Sequence, residues 1–262
     1  MKLLASELRL QRLSLLAWVV SVAALVLLVV AFYPQVRANT ALDSLYGNMS
    51  PAMQALLGGS DLTSPVGYLN TQLFAFFLPA VVLAFGLSRG ARALAGEEEA
   101  RTLDLLLAQP VARWTAYLEK SGALTVSIAA VTVGAWLPLA LLNGPAGLHL
   151  PAVRLAAVSL QMGLFCLALS LAAEAVAAAS GRRVIGLAGA AGYAFVSYVI
   201  YGLSGTVTWL EHLRPLTLWR WYLLNDPLTS GVGWREVAVL VIGCLIAIGA
   251  GGFAFQRRDL HN

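Results

Sequence analysis

The sequence predicts an all-α membrane protein: six transmembrane helices, a short cytoplasmic helix between helices 2 and 3, and both termini in the cytoplasm. Three observations predict it. Of the 262 residues, 59% are hydrophobic and only 11% are charged, whereas a soluble domain carries about 25% charged residues. The charges cluster in short segments separated by long apolar runs. Six of those runs are long enough to cross a hydrocarbon core of ~30 Å, which takes about 20 helical residues. Open sheet edges cannot be satisfied in lipid, so the runs are read as helices.

In chain order the predicted spans are 13–32, 66–88, 124–142, 155–179, 184–203 and 237–255, all within one transmembrane domain covering 1–262. The first run is longer than the apolar part of a signal peptide, and five comparable runs follow it, so it is read as a retained helix. Pro79 and Pro138 fall inside the second and third spans, where a missing N–H is tolerated and a kink is expected. Cys166 and Cys244 both lie in apolar runs and read as small hydrophobes rather than a disulfide framework.

Orientation follows from the basic residues. With the N-terminus inside, Lys2, Arg9, Arg12, Arg89, Arg92, Arg101, Arg113, Lys120, Arg182, Arg183, Arg257 and Arg258 are cytoplasmic. Arg37, Arg154, Arg214, Arg220 and Arg235 are outside, a division of 12 against 5. That bias places both termini in the cytoplasm of a multi-pass protein of the cell (inner) membrane. It also accounts for the net charge of +4 without a nucleic-acid partner.

Four of the segments outside the spans carry information. Residues 1–12 contain Leu3, Leu4, Leu8 and Leu10, which do not share one helical stripe; Arg9 and Arg12 are placed at the membrane interface. The outer loop 33–65 is rich in Gly, Ser, Pro and Asn around an apolar patch at 53–57. The cytoplasmic loop 89–120 is the most charged part of the chain. The outer segment 204–235 holds Trp209, Trp219, Trp221, Tyr222 and Trp234. An indole has an apolar body and one donor, which suits the headgroup level, so this segment and its Trp209, Trp219 and Trp221 are expected at the interface with lipid.

The cytoplasmic loop carries the informative motif. Gly96 permits a turn, and Glu97, Glu98 and Glu99 follow where a helix begins, a place the helix dipole favours for carboxylates. Ala100-Arg101-Thr102-Leu103-Asp104-Leu105-Leu106-Leu107 then forms an apolar helical run that Pro110 stops. A short helix between two spans cannot bury its own leucines, so a partner surface or the membrane face must cover them.

This loop resembles that of the ABC-2 family of permeases, in which acidic residues precede a Gly-Thr-Leu-Glu-Leu-Leu-Leu-x-x-Pro-x-x-Arg pattern. Thr102, Leu103, Leu105, Leu106, Leu107, Pro110 and Arg113 match, and Asp104 stands for Glu. Arg101 departs from the usual Gly. Glu7-Leu8-Arg9 near the start and Phe253-Ala254-Phe255-Gln256-Arg257-Arg258-Asp259-Leu260 near the end are similar to the family's ends. The resemblance implies a permease subunit of an ATP-driven exporter for a hydrophobic or amphiphilic cargo. It implies that the 97–110 helix docks on a separate cytoplasmic ATPase and couples to it through Glu97, Glu98, Glu99, Arg101, Thr102, Leu103, Asp104, Leu106, Leu107 and Pro110. It further implies a second permease chain, expected as a homodimer with the cargo path between the copies. The chain has no Gly-x-x-x-x-Gly-Lys-Ser/Thr phosphate loop. It is therefore expected to be a transport subunit, not an enzyme, with no cofactor of its own; ATP and Mg²⁺ belong to the partner.

Glu174 lies inside the fourth span, where an acid is a candidate for a cation or proton path. Its place near Arg182 and Arg183 makes an interfacial pairing with arginine an equal reading. Gly186/Ala190 and Ala247/Gly251 suit close helix packing or a dimer seam. Gly202-Leu203-Ser204-Gly205 resembles the nucleophile region of intramembrane serine proteases. That chemistry needs a histidine at the same depth, and His149, His212 and His261 all lie outside the spans. No His-Glu-x-x-His metal motif exists. The alternatives are a secondary carrier or channel and, disfavoured by the missing histidine, an intramembrane serine protease at Ser204.

Overall fold

The computed structural model describes residues 2–38, 50, 52–54, 61–99, 112–205 and 207–258. Those residues form no strand, and six of their helices are long and apolar enough to cross a membrane. The six-helix reading is therefore met, with ends that run past the predicted limits.

Helix α1 spans Lys2–Arg37. At 1.5 Å per residue it is about 54 Å long, well beyond a hydrocarbon core of ~30 Å. Its inner stripe is Val22, Val26, Val30 and Tyr33, all buried, while Leu13, Leu16, Val20, Leu27 and Leu28 are exposed. Residues 2–12 continue the helix and reach the third span: the Leu4 N–H donates to Glu119 Oε2 at 3.0 Å.

The second span is broken. Helix α2 (Pro65–Leu69) begins with Ser64 Oγ accepting from the Gly67 N–H at 3.1 Å. It passes into a π-turn at Asn70–Phe74 and restarts as α3 (Phe77–Arg92). Pro79 explains the break, because it has no N–H to offer the carbonyl four residues back. In the first turn of α3 that lack is harmless, and Phe76, at φ −149°, is the residue that leaves the helical path. Pro138, in contrast, lies within α5 (Arg113–Leu142), which continues through it.

After α3 come the short α4 (Ala95–Glu99), then α5, α6 (Ala152–Ser180) and α7 (Arg183–Leu203). The segment expected on the outer side folds as α8 (Thr208–Glu211), a 3₁₀ turn at Arg214–Leu216, α9 (Leu218–Leu223) and α10 (Pro227–Ser230). Helix α11 (Trp234–Arg257) is the sixth span.

Helix α6 is the hub. It packs against α3, α5, α7 and α11, while α1 packs on α5. A helix apolar on all sides must be surrounded, and α6 is, with Leu155, Met162, Phe165, Cys166 and Leu169 buried. Its serines return their hydroxyls to the preceding turn: Ser159 donates to Leu155 O at 2.9 Å and Ser170 to Cys166 O at 2.7 Å. Small residues let the neighbours close in. A Cβ on Gly90 would stand 2.3 Å from the Ser170 carbonyl oxygen, and one on Gly186 2.4 Å from that of Ala173. A Cβ on Gly251 would stand 2.1 Å from the Tyr117 hydroxyl and 2.7 Å from the Ala175 Cβ. Gly186 and Gly251 thus serve helix packing within this chain.

The outer segment corrects one expectation. Trp219 is 2% exposed, not interfacial. Its ring lies 4.8 Å from Phe165 and 5.1 Å from Tyr198, and its Nε1–H donates to Ala194 O at 3.0 Å. Beside it the buried Tyr222 donates its hydroxyl to Phe74 O at 2.9 Å, at the end of the π-turn. Asn70 Nδ2 donates to Asp226 Oδ1 at 3.2 Å. The outer segment is therefore a wedge that satisfies the broken second span. Trp209 and Trp234 are exposed and Trp221 is half-buried.

Truncation separates these roles. Trp219→Ala is expected to destabilise the chain by about 3–5 kcal/mol, and Trp209→Ala by no more than about 0.5 kcal/mol. Thermal unfolding of both variants in one detergent checks this; equal shifts would refute the assignment of Trp219 to the core.

Candidate functional site

The charged loop predicted to matter begins at α4, at the end of the bundle that holds both chain ends. Its first turn is anchored by apolar contacts: Leu94 is buried in a cluster with Tyr117, Ala178 and Phe255, and Ala95 with Ala91 and Ala177. The Glu97 and Glu98 N–H groups both return to Leu94 O, at 3.1 and 3.0 Å. Successive helical residues point about 100° apart, so three consecutive glutamates on an anchored turn reach three different neighbours.

Each one finds a cation. Glu97 pairs with the Lys120 ammonium on α5, which also pairs with Glu7 on α1. Gln11 Nε2 donates to the other Glu7 oxygen at 2.5 Å. Glu98 holds both terminal nitrogens of Arg258, with Nη1 at 3.0 Å from Oε2. Arg258 also donates to Ala178 O at 3.1 Å, and its own carbonyl accepts from Arg113 Nη1 at 3.0 Å. Glu99 accepts from Arg183 Nε at 2.9 Å and from the Arg183 backbone N–H at 3.2 Å. That second contact places a carboxylate at the first turn of α7, where the helix dipole favours it. One five-residue helix thereby fastens the ends of α1, α5, α7 and α11, and through Arg258 that of α6. Gly181 makes the last contact possible: it ends α6 at φ +68°, and a Cβ there would stand 1.9 Å from Arg258 Nη2.

The pairs differ in strength. Lys120 is 5% exposed and sits between two carboxylates. Removing one member of a buried ion pair strands the others and costs about 3–5 kcal/mol. Arg183 and Glu99 are both substantially exposed, and such a pair contributes about 0–1 kcal/mol.

The remaining predicted residues fall as follows. Arg101, Thr102, Leu103, Asp104, Leu106, Leu107 and Pro110 lie outside the described residues. Arg9 and Arg12 are exposed on α1. Glu174 is 1% exposed and accepts from Ser121 Oγ on α5 at 3.1 Å. The expected arginine partner is not what it has: Arg183 is engaged by Glu99, and Arg182 is exposed. Among the described residues the other Glu174 oxygen has no hydrogen-bond partner. Ser204 donates its hydroxyl to Tyr201 O at 2.8 Å. Among the described residues no three of His, Cys, Asp and Glu gather to hold a metal ion.

The sequence pattern does not join Lys120, Glu7, Arg183 and Arg258 to the three glutamates, nor Ser121 to Glu174. The available signal was that each stands at or near the polar end of a long apolar run, where bundling brings such ends together.

These features define a multi-pass helical membrane protein with an ion-paired loop at one end. The family described as ABC-2 family transporter protein matches residues 1–260. The chain belongs to that family, and is thus a membrane transport component of an ABC system, in which the ATPase is a separate component. A search of curated proteins found no match to it.

The hierarchy of ion pairs can be measured. Lys120→Ala is expected to lower stability by about 3 kcal/mol and Arg183→Ala by less than about 1 kcal/mol. Unfolding midpoints in a common detergent check the ranking, and the reverse order would overturn it.

Proposed function

We propose that this chain is the permease subunit of an ATP-driven exporter of the cell membrane, moved by a separate cytoplasmic ATPase that grips the 97–110 segment. Two copies form the pathway, and a hydrophobic or amphiphilic substrate crosses by alternating access at the interface between them. ATP and Mg²⁺ bind in the partner. A chain of 262 residues with six spans makes a thin bundle, which supports a path shared between two copies.

The observation that carries this reading is the spread of Glu97, Glu98 and Glu99 over four helix ends. A partner that displaces residues 100–110 pulls on a turn tied to α1, α5, α7 and α11 at once. Coupling through a rigid turn with discrete partners is the physical form that transmission between sites takes. The three glutamates then hold the loop to the helices that must move, while the leucines beyond them meet the ATPase. Charge reversal at all three breaks the tie without touching the membrane interior.

Co-purification tests both halves. The wild-type chain is expected to capture an ABC ATPase and to transport only with ATP. The triple variant Glu97→Lys, Glu98→Lys, Glu99→Lys is expected to lower transport per ATP hydrolysed by about tenfold, within the span of typical coupling free energies. Unchanged capture and coupling would remove these residues from the mechanism. Transport that persists without ATP would favour a secondary carrier or channel.

A further inference from the structure

A cavity of about 680 Å³ opens at the same end of the bundle, between α1, α3 and α5. Each helix gives it one stripe at helical spacing: Glu7, Gln11, Ser14 and Trp18 from α1; Phe85, Arg89 and Arg92 from α3; Lys120, Leu124 and Ser127 from α5. Polarity is graded along these stripes. Phe85 to Arg92 is seven residues, about 10 Å along the helix. The inner end is aromatic, with the Trp18 and Phe85 rings 5.3 Å apart. The outer end is basic.

Not every charge there is available. The lining has four cations (Arg89, Arg92, Lys120, Arg183) and two carboxylates (Glu7, Glu97), a balance of +2. Lys120 is held between the carboxylates, and Arg183 by Glu99. Both Glu7 oxygens are bound, one by Gln11 and one by Lys120. Arg89 and Arg92 make no ion pair among the described residues; the Arg89 guanidinium lies 5.0 Å over the Phe85 ring. Two guanidinium groups one turn apart thus line the cavity, and their donors make no hydrogen bond among the described residues. A fork of N–H groups suits a phosphate, which it binds in two places at once.

The flank of the cavity identifies where such a phosphate comes from. Leu10 lines it and is 84% exposed, and Leu13 and Leu16 extend the apolar strip along α1. A soluble anion needs neither an aromatic floor nor a leucine flank. The geometry points to a binding site for a phospholipid of net negative headgroup, its phosphate between Arg89 and Arg92 and the start of its chains against Trp18 and Phe85. The site is defined by binding alone and holds whether or not the chain is an exporter.

The test uses the full chain in phosphatidylcholine nanodiscs, titrated with phosphatidylglycerol brominated near the start of its acyl chains. Trp18 emission is read as wild type minus Trp18→Phe. Brominated phosphatidylglycerol is expected to quench it, and Arg89→Gln/Arg92→Gln to raise the half-quenching fraction by about tenfold. Arg9→Gln/Arg12→Gln, which removes as much charge from the same end outside the cavity, is expected to leave it unchanged. Native mass spectrometry of the wild type needs no variant: phosphatidylglycerol should be retained over phosphatidylcholine from an equal mixture. Equal retention, equal half-quenching in the two arginine variants, or displacement by millimolar inorganic phosphate would each overturn the lipid site.

Discussion

Helix α6 is apolar on every side, and the rest of the bundle depends on that constraint. A helix with no polar face has to be covered, and four other spans lean on it. Their closeness requires small residues at the contacts, as Gly90 and Gly186 show by facing backbone oxygens of α6 directly. It also requires that the hydroxyls of Ser159 and Ser170 be answered locally, since no water is present to answer them. With the centre covered in this way, the ion-paired groups stand toward the helix ends and meet there, while Glu174 remains buried on α6.

The meeting place turns a sequence of three glutamates into a device. In an extended loop they would repel one another and face water. On an anchored turn they fan out, and each is neutralised by a cation from another part of the chain. Lys120 is the strongest node because it serves α4 and α1 together. A displacement applied to this tied turn is passed on to the helices that hold it, whereas an untied loop would absorb it.

The six spans were legible because bilayer thickness writes itself into the sequence as runs of about 20 apolar residues. Their ends were not, since a helix does not stop where hydrocarbon does: residues 2–12 and 113–123 remain helical while carrying charges. A kink at Pro79 was legible from its missing N–H, but the same signal at Pro138 meets a helix that continues through it. The direction of Trp219 was not, because an indole that satisfies its donor on Ala194 O is compositionally the same as one that satisfies it in the headgroups. The acidic turn was seen, but its partners lie from 23 to 160 residues away, and no local pattern encodes such distances. Glu174 was noticed for its depth, while its contact with Ser121 depends on how α5 and α6 rotate against each other.

The carbonyl of Phe74 at the break in the second span is answered by Tyr222, 148 residues further on. A chain emerging in order from a ribosome therefore inserts its second span long before the group that completes it has been made. Until residues 219–226 arrive, Asn70, Phe74 and the aromatic face of Phe165 lack their final neighbours. Packing at this end of the bundle is consequently completed late, and the segment between α7 and α11 acts as the keystone set after the pillars stand.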